Sequence, residues 1–289
     1  MLNTNYLLIT AAYNEAHLIE KTIRSVIAQE VQPIKWVIVN DGSTDETENI
    51  VTEYIKQNPF IELFTRIKED GRDFASKVFA INYGLKDIDL NEYNFIGILD
   101  ADVSFGPNYY SSLINKFNSK PKLGIAGGIF FDVYNGKKNK IYPSPFSVRG
   151  ATQFFRRECF QQIGGLLPLK YGGEDGVACI AARMFGWGVS NIKELEVLHH
   201  RRTGAVDINI LRARFRGGLL EYFLGYHPLF QFIKCLQRTV IEKPYFIGSF
   251  FRLLGFWYAN FKGEKRIIPK DILMYTRKEQ IARIFKMSF

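Results

Sequence analysis

Tyr93-Asn94-Phe95-Ile96-Gly97-Ile98-Leu99-Asp100-Ala101-Asp102 is the stretch whose reading decides the fold. An apolar run of strand length ends in two carboxylates around one small residue. At the C-terminal edge of a sheet such a pair is placed to hold a hard divalent cation beside a diphosphate, which would otherwise repel both acids. Alone, an Asp-x-Asp also reads as a solvated turn. The flanking sequence carries the decision.

Upstream, Tyr6-Leu7-Leu8-Ile9-Thr10 reads as a buried strand. The turn Ala11-Ala12-Tyr13-Asn14-Glu15 leads into a helix whose apolar residues Leu18, Ile19, Ile23, Val26 and Ile27 recur at helical spacing, with Asn14 expected as its N-cap. Trp36-Val37-Ile38-Val39 is a second strand; it ends at Asn40-Asp41-Gly42-Ser43-Thr44-Asp45, before a helix over Glu46 to Lys56 capped by Ser43 or Thr44. Two successive strand-turn-helix units imply an α/β fold with parallel strands and ligand-binding loops on one edge. In Asp41 the carboxylate follows a strand and precedes a glycine, so it can accept from a base or ribose hydroxyl while Gly42 lets the backbone come close.

In order along the chain, Tyr13-Asn14-Glu15, Val39 to Asp45, Lys77 with Ala80 to Leu85, Asp100-Ala101-Asp102 and Gly173-Glu174-Asp175 resemble the family 2 glycosyltransferases of the GT-A fold, over residues 5 to about 200. The resemblance implies a Rossmann-like, nucleotide-binding mixed sheet flanked by helices. It implies that Thr10, Ala12 and Glu15 line the nucleoside pocket, the backbone of Ala12 reading the base edge, and that Lys77, in the stretch Arg72 to Gly84, supplies a point charge near the diphosphate. By the same resemblance Asp102 binds the metal directly and Asp100 holds the ribose or a metal-bound water. The ion is Mg2+ or Mn2+, which oxygen ligands do not distinguish.

An acceptor hydroxyl must lose its proton as it attacks the anomeric carbon, so a base is required. Gly172-Gly173-Glu174-Asp175-Gly176 places two acids before a helix over Val177 to Phe185, where the helix dipole favours their ionised forms. The family resemblance makes Asp175 the base and gives Glu174 the acceptor contact or the orientation of the loop. Similar enzymes place a histidine ligand near the end of the alternating run Glu194 to Leu198. Period two puts His199 and His200 on opposite sides, and His200 is the expected ligand of the two. The segment Ser147 to Phe160 corresponds to the acceptor cleft of the family, with Gly150 and Gln153 as acceptor residues; Arg156 and Arg157 are expected on a solvated or phosphate-facing helix start.

Cys159, Cys179 and Cys235 have no metal spacing and sit in apolar contexts, which points to reduced thiols in a cytoplasmic setting. Met1 to Asn5 runs into the first strand with no signal-peptide pattern. The 289-residue chain carries a net charge of +9, and residues 201 to 289 hold 17 Lys+Arg against 6 Asp+Glu, so the excess lies in the tail. Residues 1 to 205 are therefore expected as the catalytic domain and 206 to 289 as a basic, aromatic, helical appendage.

The absence of a nucleic-acid motif sets nucleic acid aside as a partner of this appendage and leaves an anionic membrane surface or internal packing. Phe246, Phe250, Leu253, Leu254, Trp257 and Phe261 share a helical face, and Arg252 is expected to interrupt it. An arginine at mid-bilayer costs about 2.5 to 3.5 kcal/mol, which favours an interfacial or re-entrant helix over a spanning one. Pro228 is expected to start a further helix. Lys234, Arg238, Lys243, Lys262, Lys265 and Arg266 are the cations expected to hold the appendage on anionic lipid.

Arg201-Arg202-Thr203-Gly204, Arg212 to Phe215 and Gly225 to Phe230 resemble a bacterial subgroup associated with exopolysaccharide assembly. The expected activity is inverting, metal-dependent transfer of a sugar from a nucleotide donor, UDP-linked, to a hydroxyl of a membrane-associated glycan or polyprenyl-linked acceptor. The expected location is the cytoplasmic face of a bacterial or archaeal membrane. No Gln-x-x-Arg-Trp signature of processive synthases is present in the chain. The alternatives are a nucleotidyltransferase, which would need a glycine-rich phosphate loop after the first strand, and a non-catalytic module, which would not need both Asp102 and Asp175.

Overall fold

A computed structural model describes residues 4–67, 75–201 and 209–285. Arg72 and the stretch Arg202-Thr203-Gly204 lie outside the described residues. Two compact units are present, one comprising described residues 4–168 and 174–201, the other 169–173 and 209–285. That the short segment 169–173 belongs with the second unit was not foreseen by a single boundary at 205.

The first unit runs β1 (Tyr6–Ala12), α1 (Ile19–Ile27), β2 (Lys35–Asn40), α2 (Thr47–Ile55), β3 (Ile61–Thr65), α3 (Ala75–Leu85), β4 (Phe95–Leu99), β5 (Val103–Phe105), α4 (Tyr109–Ser119), β6 (Leu123–Tyr134), β7 (Lys137–Lys140), β8 (Thr152–Arg156), α5 (Arg157–Gln162), α6 (Glu174–Met184) and β9 (Gly188–His199). The strands form one mixed sheet in the order β3-β2-β1-β4-β8-β6-β9-β5, with β7 paired to β6. The four strands β3, β2, β1 and β4 are parallel, β8 runs antiparallel to β4 and β6, and β9 is parallel to β6. The segments that follow β1, β2 and β4 therefore open along one edge.

Strand alternation sorts the core onto two faces. Tyr6, Leu8, Trp36 and Ile38 pack with Ile19 and Ile23 of α1, Val51 of α2 and Leu113 of α4. Leu7, Ile9, Val37 and Val39 pack with Val78 and Ile81 of α3, Phe160 of α5 and Cys179 of α6. Both faces are covered, as a parallel sheet requires. The three cysteines are free and buried.

The loops after β1 and β2 are stitched together. Asn14, at φ 54°, accepts from the Thr44 amide at 2.8 Å and donates its own amide to Ser43 Oγ at 3.0 Å. The Glu15 amide donates to Thr47 Oγ1 at 2.8 Å and the Ala16 amide to Asp45 Oδ2 at 3.1 Å. Asn14 is thus not the N-cap of α1, which begins after Leu18 with no side-chain cap. Neither Ser43 nor Thr44 caps α2; Asp45 accepts from the Thr47 amide instead.

Arg156 also departs from expectation. Its guanidinium donates to the carbonyls of Leu123 (3.1 Å) and Phe117 (2.8 Å), inside the unit rather than in solvent, because the end of β8 lies over the exit of α4.

The second unit holds α7 (Ile210–Phe223), α8 (Pro228–Arg238), α9 (Ile247–Phe261) and α10 (Lys270–Ile284). Pro228 starts α8, and His227 caps it by accepting from the Leu229 amide. Helices α7 and α9 meet backbone to backbone through glycine. A Cβ on Gly218 would lie 1.9 Å from the Arg252 carbonyl oxygen, and one on Gly255 would lie 2.1 Å from that of Phe215. Gly218→Ala is expected to destabilise this unit by about 1–3 kcal/mol or more, since the clash is with main chain that cannot rotate away. Urea unfolding of the full chain checks it, with Gly248→Ala, where φ is not positive and an added Cβ meets only ordinary contacts of 3.4 Å or more, as the control.

Arg252 corrects the sequence reading. It does not interrupt the exposed face of α9 but points into the unit, 3.1 Å from Glu221 and 3.7 Å from Glu242. Glu221 is buried and also meets Arg238 at 2.7 Å, Lys234 at 3.6 Å and Gln231 Nε2 at 2.7 Å. Burial raises the Glu221 pKa, but Arg252, Arg238 and Lys234 outweigh it and the net direction is down. Of the six cations expected on a surface, Lys234 and Arg238 serve this buried acid and Arg266 stacks on Tyr222. Lys243, Lys262 and Lys265 remain exposed.

Candidate active site

The site is assembled at the sheet edge where β1, β2 and β4 end. Asp102 follows β4 and is 7% exposed. Strand pairing decides which histidine it meets: β5 sets Val103 beside His199, and β6 sets Asp132 beside His199. His199 Nε2 then lies 3.3 Å from Asp102 Oδ2, and His199 Nδ1 lies 2.9 Å from Asp132 Oδ1. His200 is on the other side, its Nε2 2.8 Å from Ser104 Oγ. The preference for His200 is corrected: the residue facing the metal-motif carboxylate is His199.

Asp132 was missed. Its signal was an acid in the apolar run Ile129-Phe130-Phe131-Asp132-Val133, where a buried carboxylate needs a partner. Burial raises the Asp102 pKa, but His199, Arg201 and Lys77 more than offset it and hold the carboxyl below its usual range. Burial also works against charge on His199, while Asp102 and Asp132 raise its pKa above the ordinary histidine value. For His200, burial and then Lys21 lower it.

Arg201 is a second omission. Its Nε lies 2.5 Å from Asp102 Oδ2, and its Nη2 also pairs with Glu15. Burial pushes the Glu15 pKa up to about 7; Arg201 opposes the rise, and Asp102 and Asp100 add to it. One guanidinium therefore holds the acid of the β1 loop against the acid of the β4 motif. Lys77, on α3, meets Asp100 at 2.5 Å. Burial opposes its charge, but Asp100, Glu174 and Asp175 keep its pKa above the usual lysine range.

Asp41 is buried, and both oxygens are engaged: Arg66 Nε donates to Oδ1 at 2.7 Å and Ser76 Oγ to Oδ2 at 2.8 Å. Ala12 accepts from the Asp41 amide at 2.8 Å, which brings the β1 and β2 ends together. Thr10 is a correction. It is 0% exposed and its hydroxyl accepts from the Trp36 indole at 3.0 Å, so its side chain braces the strands and does not face the sheet edge.

Asp175 sits in the first turn of α6, after Gly172 and Gly173, both at positive φ. Its Oδ2 accepts from the Gly150 amide at 3.0 Å and its Oδ1 from its neighbour Gly176 at 2.7 Å. A Cβ on Gly150 would come 3.0 Å from the Asp175 Cβ, so glycine at 150 permits the approach. Gln153 is 1% exposed and donates to the carbonyls of Val148 and Asp175, both at 3.1 Å. Gln153 is therefore corrected from an acceptor-lining residue to one that ties the 148–150 segment to α6. Burial, and the charge of Asp175 beside it, raise the Glu174 pKa against the pull of Lys77.

The donor set can be tested for a divalent ion. Asp102 Oδ1 is buried and has no hydrogen-bond partner, although a buried carboxylate oxygen normally has one. His199 presents Nε2 beside that carboxylate while Asp132 takes Nδ1, the arrangement in which a second carboxylate fixes a ligating imidazole. No group of three or more His, Cys, Asp or Glu close enough to hold a metal occurs among the described residues. Asp102 and His199 fit a Mg2+- or Mn2+-type site that leaves positions for phosphate and water.

A family model described as "Glycosyl transferase family 2" matches residues 7–173. Poly-beta-1,6-N-acetyl-D-glucosamine synthase of Staphylococcus aureus (strain COL) is 32% identical over 118 residues, covering 41% of this chain and 26% of the relative. The chain thus spans about a quarter of the length of such curated relatives. Among solved structures, the mannosyltransferase PcManGT from Pyrobaculum calidifontis in complex with GDP-Man and Mn2+ aligns with a TM-score of 0.56 at 17% identity, over 98% of this chain and 76% of that one. S. aureus TarS 1-349 in complex with UDP-GlcNAc aligns with a TM-score of 0.56 at 14% identity, over 96% and 81%. At such identities the likeness is one of fold, and the fold is GT-A.

Proposed function

The chain belongs to glycosyl transferase family 2 and is a glycosyltransferase, and from that premise we propose that it catalyses inverting, metal-dependent transfer from a UDP-sugar to a hydroxyl of a membrane-associated glycan or polyprenyl-linked acceptor in polysaccharide assembly. The observation that carries the reading is the buried Asp102 carboxylate with one unpartnered oxygen and His199 against the other. The relatives named for poly-beta-1,6-N-acetyl-D-glucosamine synthesis and the TarS complex with UDP-GlcNAc support the donor and the product class. Placement at the cytoplasmic face belongs to the same proposal; no helix of the described residues is long and apolar enough to cross a membrane.

In this reading Asp41 and the stitched β1 and β2 loops bind the nucleoside. Asp102 and His199 would hold Mg2+ or Mn2+, which when bound offsets the charge of the diphosphate. Lys77 adds a positive charge on the Asp100 side. The acceptor oxygen attacks the anomeric carbon as the bond to the diphosphate oxygen breaks, and the hydroxyl proton passes to the Asp175 carboxylate, which the Gly150 amide holds in place. Configuration inverts in a single displacement.

Thermal unfolding against a panel of nucleotide sugars, with Mn2+ and with chelator, tests the donor. A UDP-sugar is expected to raise the midpoint only when the metal is present, because a ligand that binds the native state alone stabilises by mass action. No shift from any nucleotide sugar in either condition would remove the reading.

The raised pKa of His199 gives the pH dependence its sign. A proton on Nε2 competes with the metal, so Mn2+-dependent donor binding is expected to weaken as pH falls through the raised value. Asp132→Asn removes one of the charges that raise it. That variant should lose about 10–100-fold in Mn2+ affinity at neutral pH and shift the midpoint of the pH profile downward. Titration of Mn2+ at several pH values checks both.

A further inference from the structure

The exposed face of α9 forms an apolar, mostly aromatic ridge. Phe250, Leu254, Trp257 and Phe261 recur at spacings of four, three and four, Phe250 is 58% and Phe261 82% exposed, and Phe246, also exposed, stands just before the helix at φ 57°. The Trp257 and Phe261 rings pack at 5.8 Å. The opposite face is occupied by α7, against Gly218 and Gly255, so the ridge is what that packing leaves outward. The one charge within the helix, Arg252, is turned inward to Glu221 and Glu242. A ridge of this size is more than scattered surface apolar residues.

The chemistry around the ridge says what covers it. Lys243 stands before its first residue and Lys262 after its last, both exposed, with Lys265 beyond. Ile247–Phe261 contains no acidic residue. A Trp side chain among phenylalanines, with flanking lysines, suits the boundary between hydrocarbon and headgroup, where the indole stays half immersed and the ammonium groups reach the phosphates. A second copy of the chain is disfavoured by the excess of 17 Lys+Arg over 6 Asp+Glu in residues 201 to 289, which would face itself. A fifteen-residue helix spans about 22 Å, short of the ~30 Å hydrocarbon core, so the ridge lies in the interface and does not cross.

We propose that the Phe250–Phe261 ridge of α9, bracketed by Lys243 and Lys262, is a docking surface for anionic lipid bilayers, in which the helix lies parallel to the membrane plane. This goes beyond the transfer reading and does not depend on it. The ridge, and not Arg252, is the determinant of attachment.

The test uses the full chain and vesicles of equimolar phosphatidylglycerol and phosphatidylcholine, with phosphatidylcholine alone for comparison. The protein is expected to co-sediment with the anionic vesicles at low salt and to partition about tenfold or more weakly to neutral ones or at high salt. The double variant Phe250→Ser/Trp257→Ser changes two exposed side chains and should keep its unfolding midpoint while losing about tenfold or more in partition. The pair Lys243→Gln/Lys262→Gln should lower partition to anionic vesicles and leave binding to neutral ones unchanged. Equal recovery in the supernatant with both vesicle types at low salt would overturn the proposal. So would full binding by the double aromatic variant, or a lipid-free dimer that this variant abolishes. Because the donor-binding assay reads none of these quantities, failure here leaves the proposed transfer chemistry standing and removes only the support for placement at a membrane, and failure of the donor assay leaves the docking surface standing.

Discussion

Asp175→Asn is expected to bind nucleotide sugar and Mn2+ as the parent does and to lose about 10²–10⁴-fold in transfer rate. The substitution removes the proton acceptor and nothing else from the reaction, and general base catalysis contributes about that factor. The geometry predicts a side effect. Both Asp175 oxygens accept backbone N–H groups, from Gly150 and Gly176, so the new amide nitrogen must face one of these donors. A stability loss of about 1–3 kcal/mol should accompany the catalytic one. Donor thermal shifts and single-turnover transfer, measured on the same preparation, separate the two. If the variant transferred at a near-parent rate, the base would lie elsewhere, and Glu174→Gln would be the next measurement.

Asp102→Ala should behave differently, failing before chemistry. With the carboxylate gone, His199 is left as a single protein ligand, and Mn2+-dependent donor affinity is expected to fall by more than about 100-fold, since loss of a supporting residue alone costs 10–100-fold. Arg201 loses one of its two acidic partners at the same time. Donor binding in the presence of chelator should change far less, which distinguishes loss of the metal site from a general collapse. An unchanged Mn2+ dependence of UDP binding in this variant would sink the assignment of Asp102.

The parallel half of the sheet and the helices that follow it were legible in sequence because each rests on local pattern: apolar runs of strand length, helical spacing after a turn, glycine before paired acids. What was not legible required knowing what packs against a given face. Alternation separated His199 from His200, but the pairing of β9 with β5 and β6 decided which one meets Asp102. Thr10 and Gln153 stand within or beside the motifs, yet each is consumed by a buried hydrogen bond whose partner, Trp36 or the Asp175 carbonyl, is distant in sequence. Helical spacing put Arg252 beside the aromatic face. Only the position of Glu221 on α7 explains why it turns away. Arg66 and Arg201 could not be distinguished from other basic residues until Asp41, Glu15 and Asp102 were seen to be their partners.

The stitching of the loops after β1 and β2 has a consequence for how this protein can vary. Asn14, Glu15 and Ala16 each bond across to the 43–47 segment, so neither loop holds its shape without the other. Substitutions at Asn14 and Ser43 should be coupled: Asn14→Ala removes the acceptor of the Thr44 amide, Ser43→Ala removes the acceptor of the Asn14 amide, and two bonds that hold the same pair of loops are not independent. A lineage that inserts residues into one loop must accommodate the change in its neighbour. The pair is a single unit of inheritance, although a strand and a helix separate its halves in the chain.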